Sequence, residues 1–482
     1  MSEDKIVGIF GYEAAEDENI SRLTDYYFKS DVYRKVHNDL PLRILVGHKG
    51  IGKSATFKIS YEENKAHKNI VVWIKPDDIL EICDENSEFL NMIRSWKTGL
   101  SNIIYKSILE NFGIKSEDDV QLFLNGSGKL ISTLSEIFKK KINEYVETNS
   151  FNKEVISSFL KNNKVFVYID DLDRGWTGSK KGVQKISALL NATRDLTNDN
   201  EGLRIRISLR TDVYYLVRTS DESTDKIEGS VIWYSWNQHE LLCMLAKRVQ
   251  SYYGNKMSDE DLVKLPQKEV AKYFDEVFER RFQGKGKWNN VPTYRILATM
   301  IRRRPRDLVK LCMAAARTAM DNGHTKINTE DLNANFDKYS QERLQDTINE
   351  YRSEVPEIER LLLGMKPNKM EKKTSSEFIY TTQGLMEKIS KITEQGVFKS
   401  SSRKILSNDE LAAFLYKINF LIARKEKSDG TIERRYFEES KYLYNSFADF
   451  GYNWEVHPAF RWALQPDSQE KIFANLAVDC NN

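Results

Sequence analysis

The chain predicts an α/β protein, with a parallel β-sheet flanked by helices, then a helical region and a small α+β domain. Three observations carry that expectation. Short apolar runs recur at Ile44–Val46, Ile70–Ile74, Val165–Ile169, Ile205–Leu209 and Val231–Tyr234, separated by helical segments, as strands buried on both faces require. A glycine-rich segment follows the first run directly, and an acidic cluster follows the third. From Asn237 onward helical periodicity takes over.

At 482 residues the chain exceeds one ordinary domain and can bury a large core. Lys and Arg total 73 against 71 Asp and Glu, a net charge of +2, so any nucleic-acid face must be local. Cys83, Cys243, Cys312 and Cys480 are scattered and form no C-x-x-C, which excludes a zinc spacing and a disulfide framework and fits a reducing cytoplasm. No apolar run approaches the roughly 18 residues of a membrane span. Met1 to Lys5 is no signal peptide, so a cytoplasmic location with no membrane role is expected.

Gly47-His48-Lys49-Gly50-Ile51-Gly52-Lys53-Ser54 completes the pattern G-x-x-x-x-G-K-[ST] after the first strand, and Ala55 continues into a helix. Such glycines let the backbone wrap anionic oxygens, the loop N–H groups form a nest, and the helix start adds positive potential. This predicts a site for ATP or GTP with Mg²⁺, in which Lys53 reaches the β- and γ-phosphates and Ser54 ligates the metal. The run Val165–Ile169 leads into Asp170-Asp171-Leu172-Asp173-Arg174. Asp170 is assigned to Mg²⁺ through water, and Asp171 to orienting and polarising the attacking water. Acidic residues after a strand are more often a solvated turn or a helix cap; pairing with Lys53 and Ser54 selects the catalytic reading.

The N-terminal segment, 1–40, carries a helical stretch with Leu23, Tyr26, Tyr27 and Phe28, either a cap over a nucleotide base or an ordinary packing helix. The core, 41–236, holds an insertion at 84–160, helical through Phe89, Ile93, Trp96, Leu100 and Ile104 and interrupted at Asn125-Gly126-Ser127-Gly128. At the fourth strand's end Arg210 is either a γ-phosphate sensor or a surface arginine paired with Asp212. A helical lid, 237–363, opens on the capping-box pattern Asn237-Gln238-His239-Glu240. Inside it Arg302, Arg303, Arg304 and Arg306 surround Pro305. A charge run is usually a solvated face, but cations at a helix N-terminus oppose its dipole and favour a bound anion, with Arg306 the favoured phosphate contact.

Residues 364–376 have linker composition. In the last domain, 377–482, a helix capped at Ser407 precedes strands Phe420–Glu426 and Ile432–Glu438 around Asp429-Gly430, a winged-helix-like succession. Arg424, Lys425, Lys427, Arg434 and Arg435 decorate that hairpin, which either touches duplex phosphates or is a structural element with charged edges that resist aggregation.

Phe10-Gly11 with Ala15-Glu16-Asp17-Glu18, the loop Gly47–Ser54, and Asp170-Asp171-Leu172-Asp173-Arg174-Gly175-Trp176 resemble the bacterial P-loop ATPases allied to the KAP and STAND classes, over about residues 7–350. In that group D-D-L-D-R marks Walker B. Arg304-Pro305-Arg306-Asp307 resembles the lid motif that carries the sensor 2 arginine of origin-recognition-type AAA+ proteins. The resemblance implies a slow ATPase with an AAA+/STAND-like core, acting as a homo-oligomeric assembly or switch. Because such ATPases often occur in bacterial conflict systems, it also implies anti-phage defence through a separately encoded effector. The alternative is a DNA-binding initiator or loader that engages duplex DNA through its C-terminal domain. One feature departs from the pattern: KAP proteins commonly insert membrane helices where this chain has a polar 84–160. AAA+-like sites lie between protomers, and Arg174 and Arg194 are the candidate arginine fingers; Arg174 alternatively serves its own protomer.

Overall fold

The computed structural model describes residues 1–466 and Ile472, apart from 14, 16, 85, 112–162, 177, 221, 374–376, 429–431 and 447–449. The expected turns at Asn125–Gly128 and Asp429–Gly430, and most of the insertion, lie outside the described residues. The chain divides into two compact units, one of residues 31–48 and 53–234, the other of 1–30, 49–52 and 235–482. Helices α1 (Glu3–Phe10) and α2 (Ile20–Tyr26) belong to the second unit, whereas α3 (Asp31–His37) opens the first.

The first unit continues through β1 (Leu42–Val46), α4 (Lys53–Ala66), β2 (Ile70–Ile74), α5 (Phe89–Asn111), β3 (Val165–Ile169), α6 (Lys180–Asp199), β4 (Leu203–Leu209), α7 (Thr211–Ser220) and β5 (Val231–Trp233). All five strands are parallel, in the order β2-β3-β4-β1-β5. Every residue of β3 and β4 is buried, which fits the unbroken apolar run of β3, whereas β4 alternates apolar residues with Arg204, Arg206 and Ser208. The expected helical stripe through Trp96, Leu100 and Ile104 is buried in the same core, and the Trp96 Nε1–H donates to the Lys185 carbonyl on α6 at 3.1 Å. Two arginines lie inside β4: Arg204, whose Nε–H donates to Asp39 at 2.9 Å, and the fully buried Arg206. Its guanidinium donates to the carbonyls of Val36, Asn38, Leu40, Pro41 and Ile205, and burial brings its pKa down to about 10. It thereby ties down the chain between α3 and β1.

In the second unit α8 (Gln238–Tyr252) begins at the expected capping box of Asn237 and Glu240. There follow α9 (Asp259–Lys264), α10 (Gln267–Ala271), β6 (Arg281–Gln283), β7 (Asn289–Pro292), α11 (Thr293–Met300), α12 (Pro305–Asp321), α13 (Thr329–Tyr351) and α14 (Ile358–Gly364). The antiparallel β6–β7 pair breaks what the sequence reads as continuous helix; strands of three and four residues are too short to register a period-2 signal. The stretch after α14 is not a bare linker. Lys388 Nζ holds the Lys366 carbonyl at 2.8 Å and the Glu371 carboxylate at 2.7 Å.

The chain ends with β8 (Ile379–Tyr380), α15 (Thr382–Thr393), α16 (Asn408–Lys417), β9 (Leu421–Glu426), β10 (Ile432–Arg435), α17 (Tyr442–Ser446), β11 (Asn453–Val456) and α18 (Pro458–Leu464). The helix–hairpin succession is present. Strand β11 inserts between β9 and β8, giving an antiparallel sheet of order β10-β9-β11-β8. Two of the hairpin's basic residues do not decorate its surface: Arg424 and Arg434, opposite each other in register, both turn inward toward Glu455. Arg434 meets that carboxylate at 2.8 and 3.0 Å, and Arg461 joins it. Burial would raise the Glu455 pKa, but Arg434 and Arg461 bring it down to about 2. Lys425, Lys427 and Arg435 stay exposed, with Arg435 2.6 Å from Glu433.

His457, also fully buried, accepts the Ala459 N–H at Nδ1 and bonds the Tyr436 hydroxyl through Nε2. Burial, then the Arg302 and Arg434 charges, push its pKa well below the ordinary value. The unfolded chain takes up this proton below about pH 6.5 and the folded chain does not, so stability falls as pH drops, by at most about 1.4 kcal/mol per unit. Denaturant midpoints from pH 7 to pH 5 should decline in the wild type and decline less in His457→Gln.

Candidate nucleotide site

Strand β1 ends at Val46, and the Gly47 N–H donates to the Leu209 carbonyl at 3.1 Å, fixing the loop's first residue beside the end of β4. Gly50 and Gly52 have φ of 77° and 105°, backbone that L side chains rarely adopt. Helix α4 begins at Lys53, so the loop runs into the N–H groups of a first helical turn. Lys53 Nζ lies 3.0 Å from the Gly47 carbonyl and 3.4 Å from that of His48, folded over the loop. Ser54 and Ala55 are half-buried in the same turn.

Ile169 of β3 pairs with Ile207 of β4, so the next residues, Asp170 and Ser208, stand side by side. The Ser208 hydroxyl donates to Asp170 Oδ1, and Asp170 is only 4% exposed. A carboxylate has about four lone-pair positions, enough to accept both this hydroxyl and a metal-bound water. Asp171 is exposed and takes φ of 58°, a left-handed conformation of the kind that clusters at functional sites. Arg210 makes a two-pronged pair with Asp212 at 3.0 and 2.7 Å and lies 3.5 Å from Asp173. The pairing with Asp212 is present as expected, on a side chain only 12% exposed. Arg174 is exposed in the turn after β3, and Arg194 is half-buried on α6.

The arginine run sorts itself by partner. Arg302 binds Asp307 at 2.8 and 3.1 Å, Arg303 binds Glu439 and stacks on Tyr436, and Arg304 binds Glu350 at 2.8 Å. Burial would raise the Asp307 pKa, but Arg302 and Arg343 hold it well below the usual carboxylate range. Arg306 has no carboxylate partner among the described residues. Its Nε–H meets the Glu13 carbonyl at 3.3 Å, and its backbone N–H donates to the Gly50 carbonyl at 3.3 Å.

Ser208 and Glu350 were not singled out by the sequence reading. Ser208 is one of three polar residues that alternate with apolar ones along Leu203–Leu209, so its pairing with Asp170 shows only in the strand register. Nothing local marks Glu350.

These features define an α/β P-loop NTPase core with a helical C-terminal region. The FunZ-associated C-terminal helical domain matches residues 239–348. The chain is 24% identical to the putative transposon gamma-delta 80.3 kDa protein of Escherichia coli (strain K12), over 96% of this chain and 69% of that one. Among solved structures it is similar to the Aeropyrum pernix ORC2 protein, with 10% identity, a TM-score of 0.39 and coverage of 95% and 94% of the two chains. Cdc6p from Pyrobaculum aerophilum shares 12% identity at a TM-score of 0.31, covering 98% and 97%. Both likenesses are remote, and the fold class rests on this chain's own sheet and loop. No helix among the described residues is long and apolar enough to cross a membrane.

A Cβ at position 50 would sit 3.1 Å from the Arg306 Cβ, on backbone that already disfavours one. Gly50→Ala should lose about 1–2 kcal/mol from the left-handed conformation alone, read as a lower thermal midpoint, with a parallel loss of nucleotide affinity by calorimetry.

Proposed function

We propose that this chain is a Mg²⁺-dependent ATPase of AAA+ type whose nucleotide state controls its assembly or a partner. The observation that supports it most is that the carboxyl ends of three neighbouring parallel strands carry the start of the glycine loop after β1, Asp170 after β3, and Ser208 and Arg210 at the end of β4. Ser54 and Asp170 are the residues suited to hold the metal, which when bound would neutralise charge on the phosphates. Lys53 binds phosphate oxygens, Arg306 contacts phosphate at the Lys49–Gly52 turn, and Asp171 orients the attacking water.

The finer reading, a KAP/STAND-allied ATPase acting with a separate effector in anti-phage defence, has the D-D-L-D-R resemblance as its support. The DNA-binding initiator or loader draws on a relative named as a transposon protein. It has less support from the C-terminal domain, where Leu411 to Lys417 of α16 are all buried and Arg424 and Arg434 are engaged with Glu455.

Two substitutions test the ATPase reading together. Lys53→Ala should bind ATP far more weakly in isothermal titration. Asp171→Asn should bind it and leave it uncleaved, since a general base contributes about 10²- to 10⁴-fold. Wild-type affinity in the first, or undiminished phosphate release in the second, overturns the assignment.

A shared site between protomers is tested by mixing. A finger from the neighbour is worth about 10³- to 10⁵-fold in related triphosphatases. Arg194→Ala and Asp171→Asn proteins, each inactive alone, should recover hydrolysis when combined; no recovery, with activity per protomer independent of concentration, excludes Arg194 as that finger.

A further inference from the structure

The turn Lys49–Gly52 packs with the C-terminal unit, and four hydrogen bonds hold its backbone. Glu350 Oε1 accepts the Lys49 N–H at 2.9 Å, and Arg304 Nη1 donates to the Lys49 carbonyl at 3.1 Å. The Arg306 N–H takes the Gly50 carbonyl at 3.3 Å, and Trp236 Nε1–H takes that of Ile51 at 2.8 Å. Arg304 and Glu350, joined at 2.8 Å, each have side chains only 2% exposed. Three successive carbonyls are thus turned toward the start of α12 and Trp236. In a planar trans peptide the C=O of one residue and the N–H of the next point in opposite directions. Anchoring the carbonyls of Lys49, Gly50 and Ile51 therefore turns the N–H groups of Gly50, Ile51 and Gly52 the other way, as a nest for an anion requires.

We propose that the buried Arg304–Glu350 pair positions the phosphate loop: by gripping both polar groups of Lys49, it aims the N–H groups of the turn and ties the loop's shape to the start of α12 and the end of α13. This rests on the nucleotide reading above. Glu350 and Arg304 touch backbone, so they act through the loop and are positioning residues.

The test uses the full chain, Mg²⁺ with a non-hydrolysable ATP analogue in calorimetry, and thermal melting without ligand. Glu350→Met alone leaves a buried guanidinium uncompensated and should melt early. Arg304→Met with Glu350→Met removes both charges and should recover most of that stability. It should still bind the analogue about tenfold to a hundredfold more weakly than wild type, because the Lys49 grip is gone. Glu350→Gln, which keeps an acceptor for the Lys49 N–H, should fall between. A double variant that melts and binds as wild type overturns the proposal. If that variant does not fold, wild-type affinity in Glu350→Gln overturns it and weakened affinity supports it. Lys53→Ala separates the two layers: if it binds like wild type, or wild type binds nothing, the nucleotide reading falls and this one with it. If Lys53→Ala is weak while the double variant is unchanged, only the positioning role falls.

Discussion

A parallel sheet buried on both faces has no room for charge along its strands, so polar chemistry is displaced to the edges where strands stop. Strands β3 and β4 are buried at every position, and the carboxylate, hydroxyl and guanidinium of this site appear where they end: Asp170 just past β3, Ser208 in the penultimate position of β4, Arg210 just past it. Because the strands are parallel, those ends fall on one side, and the Gly47 loop after β1 falls there too. The arginines of β4 illustrate the rule by exception: Arg204 reaches out to Asp39, and Arg206 lies deeper. It remains inside β4 only because backbone carbonyls from the α3–β1 connection surround its guanidinium.

The C-terminal unit solves the same problem differently. Arg302 and Arg343 share Asp307, Arg304 takes Glu350, and Arg434 and Arg461 share Glu455, all nearly or fully buried. Breaking one member of such a set costs about 3–5 kcal/mol, whereas replacing a whole set with apolar groups is often neutral. Their contribution is therefore geometric, because each carboxylate admits its guanidinium in few orientations. Arg303, between two buried arginines, takes φ of 55° and turns instead onto the Tyr436 ring at 4.0 Å.

What was legible in the sequence was local. The strands announced themselves as apolar runs, and the capping boxes at Asn237 and Ser407 each close within four residues, so their signals survive without tertiary context. The loop glycines were legible for the same reason. Partners distant in sequence were not. Asp170 meets Ser208 across 38 positions, and Lys49 meets Glu350 across 301. The inward turn of Arg424 and Arg434 was hidden too, since a hairpin rich in charge on both faces gives no alternation to read.

Charge pairing also explains why four neighbouring arginines have different fates. A guanidinium under cover needs acceptors, here carboxylates, which reach Arg302, Arg303 and Arg304 from 5, 136 and 46 positions away. Arg306 has no carboxylate partner among the described residues and lies beside Gly50, with the Glu13 and Gly50 carbonyls against it. The same reasoning extends to the sheet unit. Arg210 is matched by Asp212 and Asp173, while Arg174 and Arg194 have no ion-pair partner among the described residues. Unmatched cations on the turn after β3 and on α6 are what the proposed site completed by a neighbouring protomer would require, and mixing of the two variants is what tests them.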